Sequence, residues 1–313
     1  MTIRHFQPGD EAIQAAIYNE AAAGLPGFKP AKAEDVQRRT RARGFDPTTR
    51  WYAEEGGEVV GYCALEPEQG RISVPWCRPG HDVTMELFAA ALAGARERGL
   101  DRLFAAYRRD WQPAILFLES HGFAKARDMV NYAVNVLDMP TTAQGSSVGM
   151  SPLQVEDLPA IAAMGAGILR LPLAKLENYF FANPYFPAEC VSVRRSREGE
   201  PIAVGIAIER SNYADVRLID PFAPCFRLGA FGTEGVNTKR VNGMFSFLVA
   251  KPESAITQGL ALLAEAMESM TEGTVEAVAA QAPSDAPHLI GFYNRYFKEQ
   301  GRFPVYERAL SSP

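Results

Sequence analysis

The sequence predicts an α/β protein made of two successive copies of one unit, each a mixed, mostly antiparallel sheet flanked by helices. Three observations predict it. Short apolar runs and helix-length amphipathic segments follow one another in the same order twice along the 313 residues. Two stretches, residues 110–123 (DWQPAILFLESHGF) and 285–303, share one design: each follows a short apolar strand, opens a helix at Pro113 or Pro287, and reaches a glycine, Gly122 or Gly301, with Phe at or just after it. Proline suits a first helical turn because its missing N–H has no partner there, and glycine suits a left-handed helix stop. Between the halves, residues 141–149 (TTAQGSSVG) are small, polar and aperiodic, as a linker is.

The first half, 1–140, opens with a strand at 3–6 and a helix from Asp10 to about residue 23. A polar, basic helix follows over 33–43. Strands at 50–54 and 59–65 flank Glu55-Gly56-Gly57-Glu58, a hairpin signal. A strand at 70–76 leads through Arg78-Pro79-Gly80-His81-Asp82 into a long helix, 83–99, with Met85, Leu87, Phe88, Ala91, Leu92 and Ala95 on one stripe. A strand at 103–107, the Pro113 helix and a strand at 132–138 close the half. The second half, 150–313, repeats the order. Helices start near Val155 and Pro172, strands run at 190–195, 202–208, 244–251, 275–280 and 303–310, and helices at 254–270 and 287–300. An insertion at 212–243, with a glycine-dense stretch at 228–235 too irregular for a nucleotide loop, distinguishes it.

Composition excludes several functions. With 47% hydrophobic and 22% charged residues the chain reads as globular, and a formal charge of −5 offers no field for a nucleic acid backbone. No apolar run approaches the roughly 20 residues of a membrane span. The start, Met1-Thr2-Ile3-Arg4-His5-Phe6, reads as a strand rather than a targeting peptide, so a cytoplasmic protein is expected. Cys63, Cys77, Cys190 and Cys225 form no C-x-x-C pair and the four histidines are scattered, so no metal is expected and the thiols read as structural. No G-x-S-x-G elbow marks a hydrolase.

Residues 110–123 resemble the final helix of the GNAT acyl-CoA N-acyltransferases, D-N-x-P-A-x-x-F-Y-x-x-x-G-F, with Trp111 in place of Asn and Leu118 in place of Tyr. The resemblance, extended by the element order over nearly the whole chain, implies a tandem GNAT protein with acetyl-CoA or another acyl-CoA as co-substrate. Its acceptor would be a small-molecule or peptide amine. Such transfer needs donors for the pyrophosphate, an open strand edge for pantetheine, a base for the charged amine and an acid for the departing thiolate. The family's phosphate loop, [QR]-x-x-G-x-[GA], falls on Arg78 to Val83, with Arg78 kept, Gly80 one place early, and His81 and Val83 replacing small residues. The implied cofactor site is therefore Arg78, Gly80, His81, Asp82, Val83 and Thr84 with the strand edge at Val74 and Trp76. Asp82 as an N-cap would compete for the same amides. In the second copy the loop reads Lys251-Pro252-Glu253-Ser254-Ala255-Ile256, without glycine and with Ser254 as an ordinary N-cap.

For the acid, Leu118 has no proton to give, which leaves Tyr107 in the first copy; in the second, Tyr293 matches counting from Asp285 and Phe297 counting back from Gly301. For the base, Glu66 and Glu209 follow the third strand of each copy, and His81 is a third candidate. Tyr179, Phe180, Phe181, Tyr185 and Phe186 either cover an acceptor pocket or pack helix on sheet. The second copy would then shape the acceptor side or a homodimer. The rival reading is a catalytically silent GNAT-fold protein that binds a ligand or a partner, favoured by the lost glycines, by Leu118 and by the acidic helix starts.

Overall fold

The computed structural model describes residues 1–41, 45–139, 149–169, 173–182, 186–208, 241–271 and 275–310. The expected linker over 141–148, the insertion over 212–240, Glu209, Tyr185 and Cys225 lie outside them. The chain forms two compact units, Met1–Ala126 with Val305–Pro313, and Arg127–Pro304. Each has its own hydrophobic core.

Unit 1 runs β1 (Thr2–His5), α1 (Asp10–Ala22), α2 (Ala33–Thr40), β2 (Arg50–Glu55), β3 (Glu58–Glu66), β4 (Arg71–Ile72), β5 (Trp76–Cys77), α3 (Thr84–Glu97), β6 (Arg102–Ala106) and α4 (Gln112–Ser120). The β2–β3 hairpin turns on Gly56 and Gly57, both left-handed at φ 59° and 88°, which a tight two-residue turn requires. Leu87, Phe88, Ala91, Leu92 and Ala95 of α3 are buried as their spacing predicts, while Met85, expected on the same stripe, is exposed. Helix α3 rides directly over β2: a Cβ on Gly94 would stand 2.4 Å from Cζ2 of buried Trp51. Gly94→Ala is therefore expected to cost about 1–3 kcal/mol in denaturant unfolding, by overpacking. Burial also pushes the Cys63 thiol up to about 12, which keeps it neutral and unreactive at neutral pH.

Helix α4 stops as its sequence predicts. Gly122 is left-handed at φ 75°, and the amides of Phe123 and Gly122 return to the carbonyls of Leu118 and Glu119 at 3.0 and 3.1 Å. The corresponding helix of the second copy does not run to Gly301. It ends at Tyr296, because Phe297 takes an extended conformation (φ −124°, ψ 162°) and buries its ring against Tyr293 and Phe245. Gly301 lies inside a strand instead.

Unit 2 is built from β7 (Ala124–Asn135, its first three residues still in unit 1), β8 (Met150–Pro152), α5 (Leu158–Met164), α6 (Leu173–Phe181), β9 (Val191–Arg195), β10 (Pro201–Ile208), β11 (Val241–Val249), α7 (Ala255–Thr271), β12 (Ala277–Pro283), α8 (Pro287–Tyr296) and the first part of β13 (Lys298–Ala309). The strand order is β1-β2-β3-β4-β6-β13 in unit 1 and β7-β12-β11-β10-β9-β8 in unit 2. Here the structure departs from the sequence reading, which closed each half with its own last strand. Met129 to Asn135 of β7 pair with Pro283 to Ala277 of β12, while Val305 to Ala309 of β13 pair with Ala106 to Arg102 of β6. Each final strand thus completes the other copy's sheet.

The repeat extends to side chains. Buried Asp10 accepts from the Gln7 amide at 2.7 Å and takes Nη1 and Nη2 of Arg4. Buried Asp157 accepts from the Gln154 amide at 2.9 Å and takes Nη1 and Nη2 of Arg195. In each copy a bidentate pair fixes the start of the first helix.

Candidate active site

The site of unit 1 begins where its sheet opens. β4 pairs with β6 only at Arg71↔Phe104, and then the chain turns back to β3 through Trp76 and Cys77. Between the pairs Leu65↔Ile72 and Tyr62↔Trp76, three residues (Ser73-Val74-Pro75) stand against two (Cys63-Ala64), which makes a β-bulge. The bulge turns the Val74 amide out of the ladder, and it donates to the Tyr107 hydroxyl at 2.8 Å across the opening. Burial holds that hydroxyl above the usual tyrosine range, so it stays protonated at neutral pH. Trp76 is buried, its ring edge-on to Tyr18, Tyr107 and Trp111. Trp111, which replaces the Asn of the family pattern, donates its indole N–H to the Pro26 carbonyl at 2.8 Å and so braces the segment after α1.

The predicted phosphate loop lies between β5 and α3. The Arg78 amide continues the ladder to Val60 at 2.8 Å, and the His81 amide closes a turn onto the Arg78 carbonyl at 3.2 Å. Gly80 is left-handed at φ 88°, with open space where a Cβ would stand. Val83, not Asp82, is the N-cap of α3, and no side chain caps this helix. Asp82 is exposed and leaves the first-turn amides alone, so the competition expected from the sequence does not arise. Val83 is buried instead, because its side chain packs into the core beside Gly61. Thr84 opens the helix with its hydroxyl 3.5 Å from the Cys77 thiol. The nearest ion-pair partner of Arg78 is Glu20 at 3.8 Å, and its buried Nε makes no hydrogen bond. His81 pairs with Glu55 through Nδ1 at 2.8 Å.

Glu66 lies away from this loop, at the closed end of the β3–β4 hairpin opposite Arg71. Its carboxylate pairs with the buried Arg50 guanidinium, whose Nη1 also donates to the Leu65 carbonyl at 2.6 Å. That cation needs a counter-charge, so a structural task already occupies Glu66.

In unit 2 the matching loop is closed differently. Ser254 turns its amide and hydroxyl back onto the Lys251 carbonyl, at 2.9 and 2.7 Å. Tyr293 is 1% exposed, stacked on Tyr132 with ring centroids 5.3 Å apart and edge-on to Phe247 and Phe297. The Tyr132 hydroxyl, pushed up to about 12 by burial, donates to Asn294. Tyr179, Phe180 and Phe186 pack in the core, and Phe181 is exposed. The sequence reading missed a buried polar row in this unit, Asn131, Ser246 and Gln281. No local motif marks it, because strand register alone brings the three together.

Among the described residues no three His, Cys, Asp or Glu side chains gather as a metal site, and no helix is long and apolar enough to cross a membrane. No family model matches the chain. A mycothiol acetyltransferase of Thermomonospora curvata is 29% identical over 144 residues, 44% of this chain and 46% of that protein, so the match spans about half of that relative. Among solved structures, a GCN5-related N-acetyltransferase from Sphaerobacter thermophilus matches 98% of this chain and 95% of its own, with TM-score 0.62 at 17% identity. A tandem GNAT protein from the clavulanic acid biosynthesis pathway matches 98% of both chains, with TM-score 0.53 at 14% identity. Such likenesses are of fold. The chain shares its fold with these GCN5-related N-acetyltransferases, a tandem GNAT protein among them.

Proposed function

We propose that the protein is an acyl-CoA-dependent N-acetyltransferase that transfers the acyl group directly to a small-molecule or peptide amine, with the acyl-CoA held in unit 1. The observation that carries this reading is the start of α3. Its amides have no side-chain cap, and Arg78 beside them has a buried Nε without a hydrogen-bond partner. An uncapped helix start carries about half a positive charge and takes a phosphate without further help. The residues present thus fit an acyl-CoA: Arg78, Gly80, His81 and Thr84 for the pyrophosphate, and the strand edge from Val74 to Trp76 for the amide-bearing arm.

The chain's own groups then have definable tasks. The Tyr107 hydroxyl, protonated and beside the bulge, is the proton donor of unit 1. An arm lying along Val74 takes the amide that Tyr107 now holds and so releases the hydroxyl. Tyr293 is the donor in the reverse assignment, with unit 2 as the working copy. Glu66 remains the carboxylate candidate for amine deprotonation, acting through water from its pair with Arg50.

A silent GNAT fold is the second reading, and one observation favours it: Tyr107 and Glu66 both already have structural partners. Thiol release from acetyl-CoA over a panel of primary amines separates the two. The transferase reading expects release that depends on the amine, whereas no release with any amine leaves the silent fold.

A further inference from the structure

β11 and β12 run parallel but pair only at Val241↔Ala277, Gly243↔Val278 and Met244↔Ala279. Beyond that point β11 stays with β10 as far as Val249, and β12 stays with β7 as far as Pro283, so the sheet of unit 2 opens between them. Two residues on from Met244 and Ala279 stand Ser246 and Gln281, level with each other on either side of the opening. Strand alternation puts both side chains on one face, and Asn131, paired with Gln281, shares it. The opposite face carries Phe247 and Tyr132, which meet Tyr293 of α8.

All three polar residues are buried, at 4, 5 and 3% exposure for Ser246, Gln281 and Asn131. The only other buried polar residue described in unit 2 is Asp157, which Arg195 and Gln154 use fully. Gln281 donates Nε2 to Asn131 Oδ1 at 2.7 Å, while its buried Oε1 has no hydrogen-bond partner. With Nε2 turned to β7, Oε1 points away from β7, to the side where β11 has parted from β12. A fold needing only packing there would be better served by leucine, since a buried acceptor without a donor is unfavourable.

We infer that Gln281 and Ser246, braced by Asn131, form a binding subsite in the opening of unit 2 that takes a neutral hydrogen-bond donor, a hydroxyl or an amide N–H. The vacant group is an acceptor oxygen, so a donor fills it and a carboxylate is turned away. Placing that donor on the amine acceptor rests on the reverse assignment, with unit 2 as the working copy; the subsite as a binding site does not. The row then positions the acceptor and selects hydroxylated or amide-bearing amines over plain alkylamines.

The test compares 2-amino-1,3-propanediol with isopropylamine, which differ by two hydroxyls, in NMR-monitored binding to the full chain and in thiol release from acetyl-CoA. The wild type is expected to bind the diol about tenfold more tightly. Gln281→Leu and, separately, Ser246→Ala are expected to bring the pair close together by weakening only the diol, with no loss of thermal stability in Gln281→Leu. No preference in the wild type, or a preference unchanged in both variants, overturns the subsite. If Gln281→Leu does not fold, Ser246→Ala alone decides. A binding preference that both variants abolish, without thiol release from either amine, keeps the subsite and sinks its placing of the acceptor.

Discussion

A chain ended after Pro304 is expected to lose the fold of unit 1, although every residue removed lies at the far end of the sequence. The lost segment supplies Val305 to Ala309 as the antiparallel neighbour of β6. Val305, Tyr306 and Leu310 are buried, the Tyr306 hydroxyl donates to Glu119 at 3.0 Å, and the Leu310 amide donates to the Asp101 carbonyl at 2.8 Å. Three buried side chains at about 1.5–3 kcal/mol each, with the strand's hydrogen bonds, rival the 5–15 kcal/mol that holds a whole domain. The exposed β6 edge would also invite association. Hydrogen exchange checks this: amides of β2, β3 and β6 should lose protection in the truncated chain and regain it when a peptide of residues 303–313 is added. Unchanged protection in the truncated chain would mean that the exchanged strand is dispensable.

Arg78→Glu is expected to raise KM for acetyl-CoA by about 10–100-fold with little change in kcat, because a phosphate contact far from the reacting carbon serves ground state and transition state alike. The reversal puts a carboxylate where the guanidinium now stands 3.8 Å from Glu20, and the added repulsion acts at a helix start that otherwise favours anions. Arg78→Gln should lose less, and the difference between the two should shrink as salt is raised. Steady-state thiol release at varied acetyl-CoA decides it. A lower kcat at unchanged KM would move Arg78 from cofactor binding to the chemistry or to folding.

Local signals were legible in the sequence. Pro113 and Gly122 bound α4 as read, Gly56 and Gly57 turn the hairpin, and the α3 stripe is buried apart from Met85. What stayed hidden depends on partners distant in the chain. Nothing in the composition of β7 or β13 says which sheet each joins, since an alternating strand fits any apolar edge. The short β8 has too few residues to show a period. Gly301 looked like a helix stop until Phe297, drawn into the core by Tyr293 and Phe245, ended the helix first.

Near the candidate site the loop from Arg78 to Thr84 was readable as the link from strand to long helix, but its capping was not. Asp82 has the right chemistry for an N-cap, yet buried Val83 fixes the backbone so that Asp82 falls outside the helix. The bulge at Ser73 to Pro75 and the Tyr107–Val74 bond come from a one-residue slip in register, which a sequence does not display. Glu66 was chosen for its position after a strand, and only the structure reveals the buried Arg50 it balances.

Calorimetric titration of the full chain with acetyl-CoA tests the central claim, that the uncapped start of α3 in unit 1 holds the acyl-CoA, most directly. The account predicts saturable binding with one strong site per chain, weakened about 10–100-fold in Arg78→Glu while that variant unfolds as the wild type does. Absence of binding at saturating acetyl-CoA, or a site that survives Arg78→Glu undiminished, would contradict it.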